Sequence, residues 1–456
     1  MNEPRIREVK PLKNLTFVMI WAIGVGSVIG DGIFLMLGQG FSVAGPGAVG
    51  AFLVAGVIQM CIMIGLGELA VGMPNAGAMS VWVERFLGKK WGFFSGFAFA
   101  AGWVIAGGSV SIALGRVTCW FFPSLNQDTW AIVFAIMFLT LFAIFNLLGG
   151  LFTAKLQFGL VLLLIVIMIG FAIVGCFKID ISNLSPMLPN GWQGFIAALP
   201  MGTYAYIGAV TLTTCGAECK DPRDLGKGLV AASVTFLVLY TIDMLIVAGI
   251  VPWNKLGIDT SPFTYAANIA MGPIGGAILN VGAWVAAATC ILVGTFYAAS
   301  RIFYQLSKDG YLPSFLGDLT QKTRTPAKGI VFILVCSVLL VLLSILSPDF
   351  VYITLANQMI FAWIISWGMA LIAGIVYRKK APGEIEKAGW KQPLFPLFPV
   401  LGLVGCLYVM YITIAGDYSQ FIPMAVWIAL LFIFYQVYSK NRSKHLQVER
   451  EEKEVE

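Results

Sequence analysis

Histidine is all but missing from this sequence: one residue in 456, His445, close to the C-terminal end. No site that needs an imidazole ligand or base can therefore be built upstream of the tail. Charge is also scarce. Asp, Glu, Lys and Arg together make up 11% of the chain, where a water-soluble protein carries about 25%. The eight cysteines (Cys61, Cys119, Cys176, Cys215, Cys219, Cys290, Cys336 and Cys406) show no CxxC or other metal spacing. All fall in or beside apolar runs and read as small packing residues, so no metal site is expected. No HExxH or GxSxG occurs. The stretch GVGSVIG at 24–30 looks like a phosphate loop only superficially. Its spacing is G-x-G-x-x-x-G, no lysine follows, and no βαβ pattern surrounds it. These absences remove the common enzyme classes.

What the chain has in abundance is apolar surface. Hydrophobic residues make up 59% of it and the mean hydropathy is +0.87. The first dozen residues are polar and basic, and the apolar run after them lacks a cleavage site, so no cleavable signal is expected. A hydrocarbon core about 30 Å thick needs roughly 20 apolar residues per helix. On that measure twelve spans are expected, near 15–38, 47–73, 91–122, 129–149, 154–177, 195–217, 228–251, 273–300, 329–347, 350–377, 396–416 and 421–438.

With the N-terminus in the cytoplasm, nearly every cation falls on one side. Inside lie Arg5, Arg7, Lys10 and Lys13, then Arg85, Lys89 and Lys90, then Lys155, then Lys220, Arg223 and Lys227. The clusters Arg301–Lys328 and Arg378–Lys391 and the C-terminal cations join them. The outer loops hold only Lys178 and Lys255, with Arg116 near the outer end of the third span, able to snorkel. This bias sets topology, with both termini cytoplasmic in a multi-pass cell-membrane protein. The net charge of +6 thus reflects orientation in a bilayer, and no nucleic-acid partner is expected. The run SKNRSKHLQVEREEKEVE at 439–456 reads as a solvated tail.

The glycine-rich stretch now needs a different explanation. GVGSVIGDGIF at 24–34 interrupts the first span and places Asp31 at the interruption. In lipid, each unpaired backbone group costs several kcal/mol unless something pairs with it. Interrupted helices recur in transporters, where half-helix ends face a charged solute. Small residues for close helix packing would account for Gly26 and Gly30, but not for Asp31. A second interruption is expected five spans later, in YAYIGAVTLTTCGAE at 204–218, around Gly208.

Several segments in order carry a resemblance. They are IGVGSVIGDGIF, GELAVGMPNAGAMSVWVERFLGKKWGFFSGF, NLLGGLFTAKLQ, CGAECKDPRDLGKG and SRIFYQLSKDGYLPSFL. The chain resembles the amino acid–polyamine–organocation (APC) permease superfamily, most of all its amino-acid transporter branch, from about Leu12 to Arg378. The resemblance implies an all-α membrane fold of two inverted five-span repeats, with spans 1 and 6 unwound, plus two C-terminal helices. The expected division is a cytoplasmic N-terminus (1–13), a core (14–378, with repeats at about 14–177 and 195–378), a loop with helices 11 and 12 (379–438) and the charged tail (439–456).

It also implies secondary-active transport of a small amino acid by alternating access, with no catalytic residue and no cofactor beyond a coupling proton or sodium ion. Carried over residue by residue, the N–H groups of Gly30, Asp31 and Gly32 would meet a substrate carboxylate. The carbonyls of Val28, Tyr204 and Ile207 would accept from its amine. Tyr204 stands at the aromatic gate, and Thr211 and Thr214 face the side-chain pocket or bond their own helix.

Four positions depart from the family pattern. Asp31 stands where relatives usually carry Ser, Thr or Ala. Leu164 replaces a lysine found in span 5 of proton-coupled relatives. Gly294-Thr295 replaces an Asn-Ser of span 8, and Val210 lacks a glutamate used by some antiporters of basic substrates. Coupling candidates are then Asp31, Asp243 in the apolar stretch LYTIDMLIVAG, and a cation site between spans 1 and 8 near Thr295.

A carboxylate at Asp31 and a substrate carboxylate about 4 Å away repel by about 4 kcal/mol at an effective dielectric near 20, about a thousandfold in affinity. Asp31 is therefore expected to be protonated, or paired with a cation or a neighbouring side chain, or bound directly to the ammonium of a substrate amine that has no carboxylate. Glu68 and Glu218 are expected to pair with loop cations such as Arg85, Lys220 or Arg223. A channel would repeat a polar stripe along several spans; here polar groups gather at two breaks. A membrane sensor would be expected to carry a soluble signalling extension.

Overall fold

A computed structural model describes residues 10–30, 32–256, 261–345, 348–416 and 418–443. Asp31, Arg5, Arg7, His445 and the rest of the tail beyond 443 lie outside the described residues. Each of the twelve apolar runs is helical where described. Ten helical stretches among the described residues are long and apolar enough to cross a membrane, and Phe17–Val28 and Ala327–Leu343 are shorter apolar helices.

The first run is broken as its glycines require. Helix α1 (Phe17–Val28) stops where Ile29 turns extended at φ −73° and ψ 92°. A wide π turn over Gly32–Met36 follows, then α2 (Leu37–Ala44). Gly45, at φ 59°, turns the chain through Pro46 into α3 (Ala48–Gly72). A short helix α4 (Met79–Leu87) precedes α5 (Lys89–Cys119), α6 (Gln127–Leu147) and α7 (Gly150–Cys176). The Asn126 side chain caps α6 by accepting from the Thr129 N–H.

The sixth run differs from expectation. Helix α8 (Gly191–Tyr206) is not interrupted at Gly208; it tightens into a 3₁₀ helix over Ile207–Ala217. Such helices rarely exceed three or four residues, because their hydrogen bonds are poorer. Threonines support this one from the side: Thr213 Oγ1 donates to the Val210 carbonyl and Thr214 Oγ1 to that of Thr211, both at 2.8 Å. The backbone therefore stays hydrogen-bonded where an unwound strand was expected.

Beyond it run α9 (Arg223–Ile250) and α10 (Pro262–Cys290). Gly272, at φ 71° before Pro273, kinks α10, so the eighth apolar run starts at the kink. It widens to a π turn over Ile291–Ala298 and ends as α11 (Ala299–Lys308). Then come α12 (Ala327–Leu343), α13 (Pro348–Lys380), the short α14 (Pro382–Ala388), α15 (Leu397–Gly416) and α16 (Phe421–Phe434).

Two packed groups face each other. In one, α1 lies against α9 and the 3₁₀ segment, with α3 packed on α8 and α9. In the other, α5 runs against α6, α12 and α13. Trp103 of α5 meets Trp363 of α13 with ring centroids 4.7 Å apart, and the Trp363 indole donates to the Phe99 carbonyl at 3.0 Å. With no hydrophobic drive between helices in lipid, such close packing and interhelical hydrogen bonds hold the bundle.

Candidate functional site

The last turn of α1 leaves carbonyls without helical partners. Val25 O accepts from the Ile29 N–H at 3.0 Å. Val28 O accepts instead from the phenol of Tyr240, on α9, at 3.0 Å, and that hydroxyl also lies 3.4 Å from Ala205 O of α8. One tyrosine thus spans the ends of both α1 and α8. The Ser27 hydroxyl lies 2.7 Å from Ile23 O, 3.1 Å from Gly24 O and 3.0 Å from Gly208 O, tying span 1 to the 3₁₀ segment.

The two segments approach too closely for side chains between them. A Cβ at Gly208 would sit 1.7 Å from Ser27 O, and one at Gly32 would sit 2.6 Å from Ala205 Cα. Such distances demand glycine. The Tyr204 ring covers Gly32, its Cδ1 3.0 Å from where that Cβ would be.

Most of the expected site residues come together here. Val28, Gly30, Gly32, Tyr204, Ile207 and Thr211 are all buried. Among the described residues the Thr211 hydroxyl has no hydrogen-bond partner, whereas Thr214 is committed to its own helix. The carbonyl of Tyr204 accepts the Ile207 N–H, so it is less open than expected. Asp31, the central residue of the sequence argument, lies outside the described residues.

Thr295 is placed elsewhere. Its hydroxyl donates to the Trp103 carbonyl at 3.1 Å, and a Cβ at Gly294 would strike the Trp103 ring at 2.0 Å. The π turn that carries both thus presents them to α5 rather than to span 1. Facing span 1 is Cys290, whose Sγ lies 3.8 Å from Ser27 O and 3.4–3.5 Å, counting Cβ, from a Cβ placed on Gly30. A cation site at Thr295 between spans 1 and 8 is not supported by this placement. Asp243 is fully buried one turn beyond Tyr240 on α9, and its Oδ2 has no hydrogen-bond partner among the described residues.

The acidic residues at the inner ends pair differently from expectation. Glu218 bonds Arg301 of α11, with Nε to Oε1 at 2.5 Å, and both are buried. The Arg301 guanidinium also stacks 3.3 Å from the Tyr297 ring centroid. Glu68 of α3 pairs with Arg378 of α13 and accepts the Gln392 N–H at 2.8 Å. Arg85 pairs instead with Glu384 of α14, at 2.7 Å. Arg85 and Arg223 are exposed side chains, whereas Arg301 and Arg378 are held where their helices bring them within reach of the two glutamates. Leu15 and Cys219 form one isolated parallel bridge, and the Asn14 and Leu15 N–H groups both donate to Glu218 O at 3.0 Å.

Sequence reasoning missed Tyr240, Arg301, Arg378 and Cys290. A signal existed for Tyr240: it precedes Asp243 by three residues, one helical turn, in LYTID. Arg301 falls within the segment SRIFYQLSKDGYLPSFL, but nothing there names its partner, and Arg378 and Cys290 carry no motif that separates them from topogenic or packing residues.

Helices broken or tightened around a buried polar junction, in an all-helical apolar chain, define a membrane transporter and not an enzyme. The family model for amino acid permeases matches residues 19–448. The chain belongs to the amino acid permease family, within the APC superfamily. It is 24% identical to the D-serine/D-alanine/glycine transporter of Escherichia coli (strain K12), over 95% of this chain and 96% of that one. It is 26% identical to the amino-acid permease RocE of Bacillus subtilis (strain 168), over 95% of each. A probable GABA permease of Pseudomonas aeruginosa is 28% identical over 82% of this chain and 81% of its own length.

Proposed function

We propose that this chain is a secondary-active transporter that carries a small zwitterionic amino acid across the cell membrane by alternating access. It would do so through twelve spans with both termini cytoplasmic, built as two inverted five-span repeats. The observation that carries the reading is the end of α1 at Val28, held to the end of α8 by Tyr240. In this reading the N–H groups of Gly30 and Gly32 meet the solute carboxylate, and the carbonyls of Val28 and Ala205, which Tyr240 approaches here, meet its ammonium. That arrangement suits a solute with a carboxylate at one end and an ammonium at the other. Gly32 and Ala205 leave little room for a long side chain, in keeping with small substrates such as those named for the Escherichia coli relative.

In this reading uptake is coupled to a proton or proceeds by exchange, with Asp31 and Asp243 as proton carriers. Asp243 qualifies because its buried Oδ2 has no hydrogen-bond partner among the described residues and it lies one turn from Tyr240 on α9. The second reading, an amine lacking a carboxylate and bound by Asp31, rests on the acidic residue set within the break. Uptake into proteoliposomes, tested with labelled glycine, serine, alanine and simple amines under imposed pH or sodium gradients, separates them. Flux of an amino acid driven by a pH gradient, with pH dependence relaxed in Asp31→Ser, is the expected result. Transport of amines alone, abolished by Asp31→Ser, selects the second reading. Absence of flux and of any ligand-induced thermal shift overturns both.

A further inference from the structure

On the outside of the bundle, away from the α1–α8 junction, an apolar groove of about 270 Å³ lies between α5, α13 and α16. Trp91, Phe94, Ile365, Trp427 and Phe432 form much of its wall, and among the described residues lining it Lys90 alone is charged. Lys90 sits in the first turn of α5, at the end where the cations of this chain gather. Its ammonium is held 4.6 Å from the Phe432 ring centroid and 5.0 Å from that of Trp91. It has no carboxylate partner among the described residues, although Lys328 and Lys391 do. Two aromatic faces fix the cation at the mouth of an apolar channel and leave its N–H donors to meet something else.

Trp91 is 45% exposed, in a position where tryptophan marks the membrane–water boundary. The groove therefore runs from the headgroup level into hydrocarbon. The Trp427 indole is already satisfied by Gln358 Oε1 at 3.1 Å, so the wall needs no polar occupant. Lys440 and Arg442 follow on the cytoplasmic extension of α16 and add positive charge beyond the mouth.

We propose that this groove binds an anionic phospholipid of the cytoplasmic leaflet, with one acyl chain along Phe94, Ile365 and Trp427 and the phosphate on Lys90. A zwitterionic lipid gains the same apolar contact, but its own cation offsets the attraction of the phosphate to Lys90. A second copy of this chain would leave the Lys90 ammonium facing apolar surface unless it brought a carboxylate.

The test uses the full chain, purified in detergent and offered equal phosphatidylglycerol and phosphatidylcholine, with retained lipid counted by native mass spectrometry. The wild type should retain phosphatidylglycerol preferentially. Lys90→Gln should cut that preference by about fivefold, the loss of one surface cation, and Lys90→Arg should keep it. Unfolding midpoints in lipid-free detergent report whether each variant is folded. Trp427→Ala, which opens the groove wall, should weaken retention of both lipids. Equal retention of the two lipids by the wild type, or an unchanged preference in Lys90→Gln, overturns the proposal. So does a dimer cross-linked through cysteine placed at Ile433, 56% exposed and next to Phe432.

Discussion

The phenol of Tyr240 donates to the Val28 carbonyl at 3.0 Å and lies 3.4 Å from the Ala205 carbonyl, so one side chain on α9 holds the broken end of α1 to the end of α8. Removing the hydroxyl leaves a buried carbonyl short of a donor, at about 1–3 kcal/mol. Tyr240→Phe should therefore retain the fold but lower transport efficiency by about tenfold. Initial rates across a substrate series, measured beside the unfolding midpoint, check this. A normal rate would mean that the bridge is dispensable.

Gly208 admits no side chain, because its missing Cβ would overlap Ser27 O at 1.7 Å. Gly208→Ala forces spans 1 and 6 apart, and overpacking of this kind costs about 1–3 kcal/mol. Uptake should fall to background while expression in the membrane persists. Gly159, where a Cβ would meet nothing within 4 Å, supplies the control: Gly159→Ala should transport normally.

Glu218 and Arg301 form a buried pair across the inner ends of span 6 and α11. Deleting one partner strands a charge, which costs about 3–5 kcal/mol. Arg301→Met should lower the unfolding midpoint strongly, and Arg301→Met combined with Glu218→Leu should recover much of it. Recovery of stability without recovery of transport would show that the pair also serves the transport cycle.

Glu84 of α4 titrates in a useful range. Burial raises its carboxyl to about 7, helped by the Asp309 carboxylate and opposed by the Tyr311 hydroxyl and Lys89. Because the folded value lies above the ordinary 4.5, the folded state favours the protonated form. The associated stability is fully present below about 4.5 and lost as pH rises through about 7. The unfolding midpoint should fall between pH 5 and pH 8 (about the span of that titration) in the wild type. In Glu84→Gln the fall over that range should be smaller, and an unchanged fall would show that Glu84 does not supply it.

Much of the fold could be read in the sequence, because apolar run length and the one-sided cations obey the physics of a bilayer. The break after Val28 was legible too, since three glycines in seven residues cannot hold a helix without help. Gly208 alone gave no such instruction. Its neighbours Thr213 and Thr214 donate sideways to nearby carbonyls and keep the segment helical in 3₁₀ form, an outcome that depends on hydroxyl placement. Thr295 was misplaced for a similar reason: the π turn around it shifts the face it presents, and a period of 3.6 cannot anticipate that shift. The partners of Glu68 and Glu218 were invisible because ion pairing across 310 and 83 positions follows from tertiary packing.

The short backbone pairing of Leu15 with Cys219 has a practical corollary. The chain just ahead of α1 is stitched to the underside of span 6, with Asn14 and Leu15 donating to Glu218 O and Lys220 donating back to Leu15 O. Any displacement of span 6 relative to α1 must carry this strap along or peel it off. A bulky fusion placed directly before Asn14 would then act as a brake on turnover, whereas the same fusion moved further upstream by a supple spacer would not.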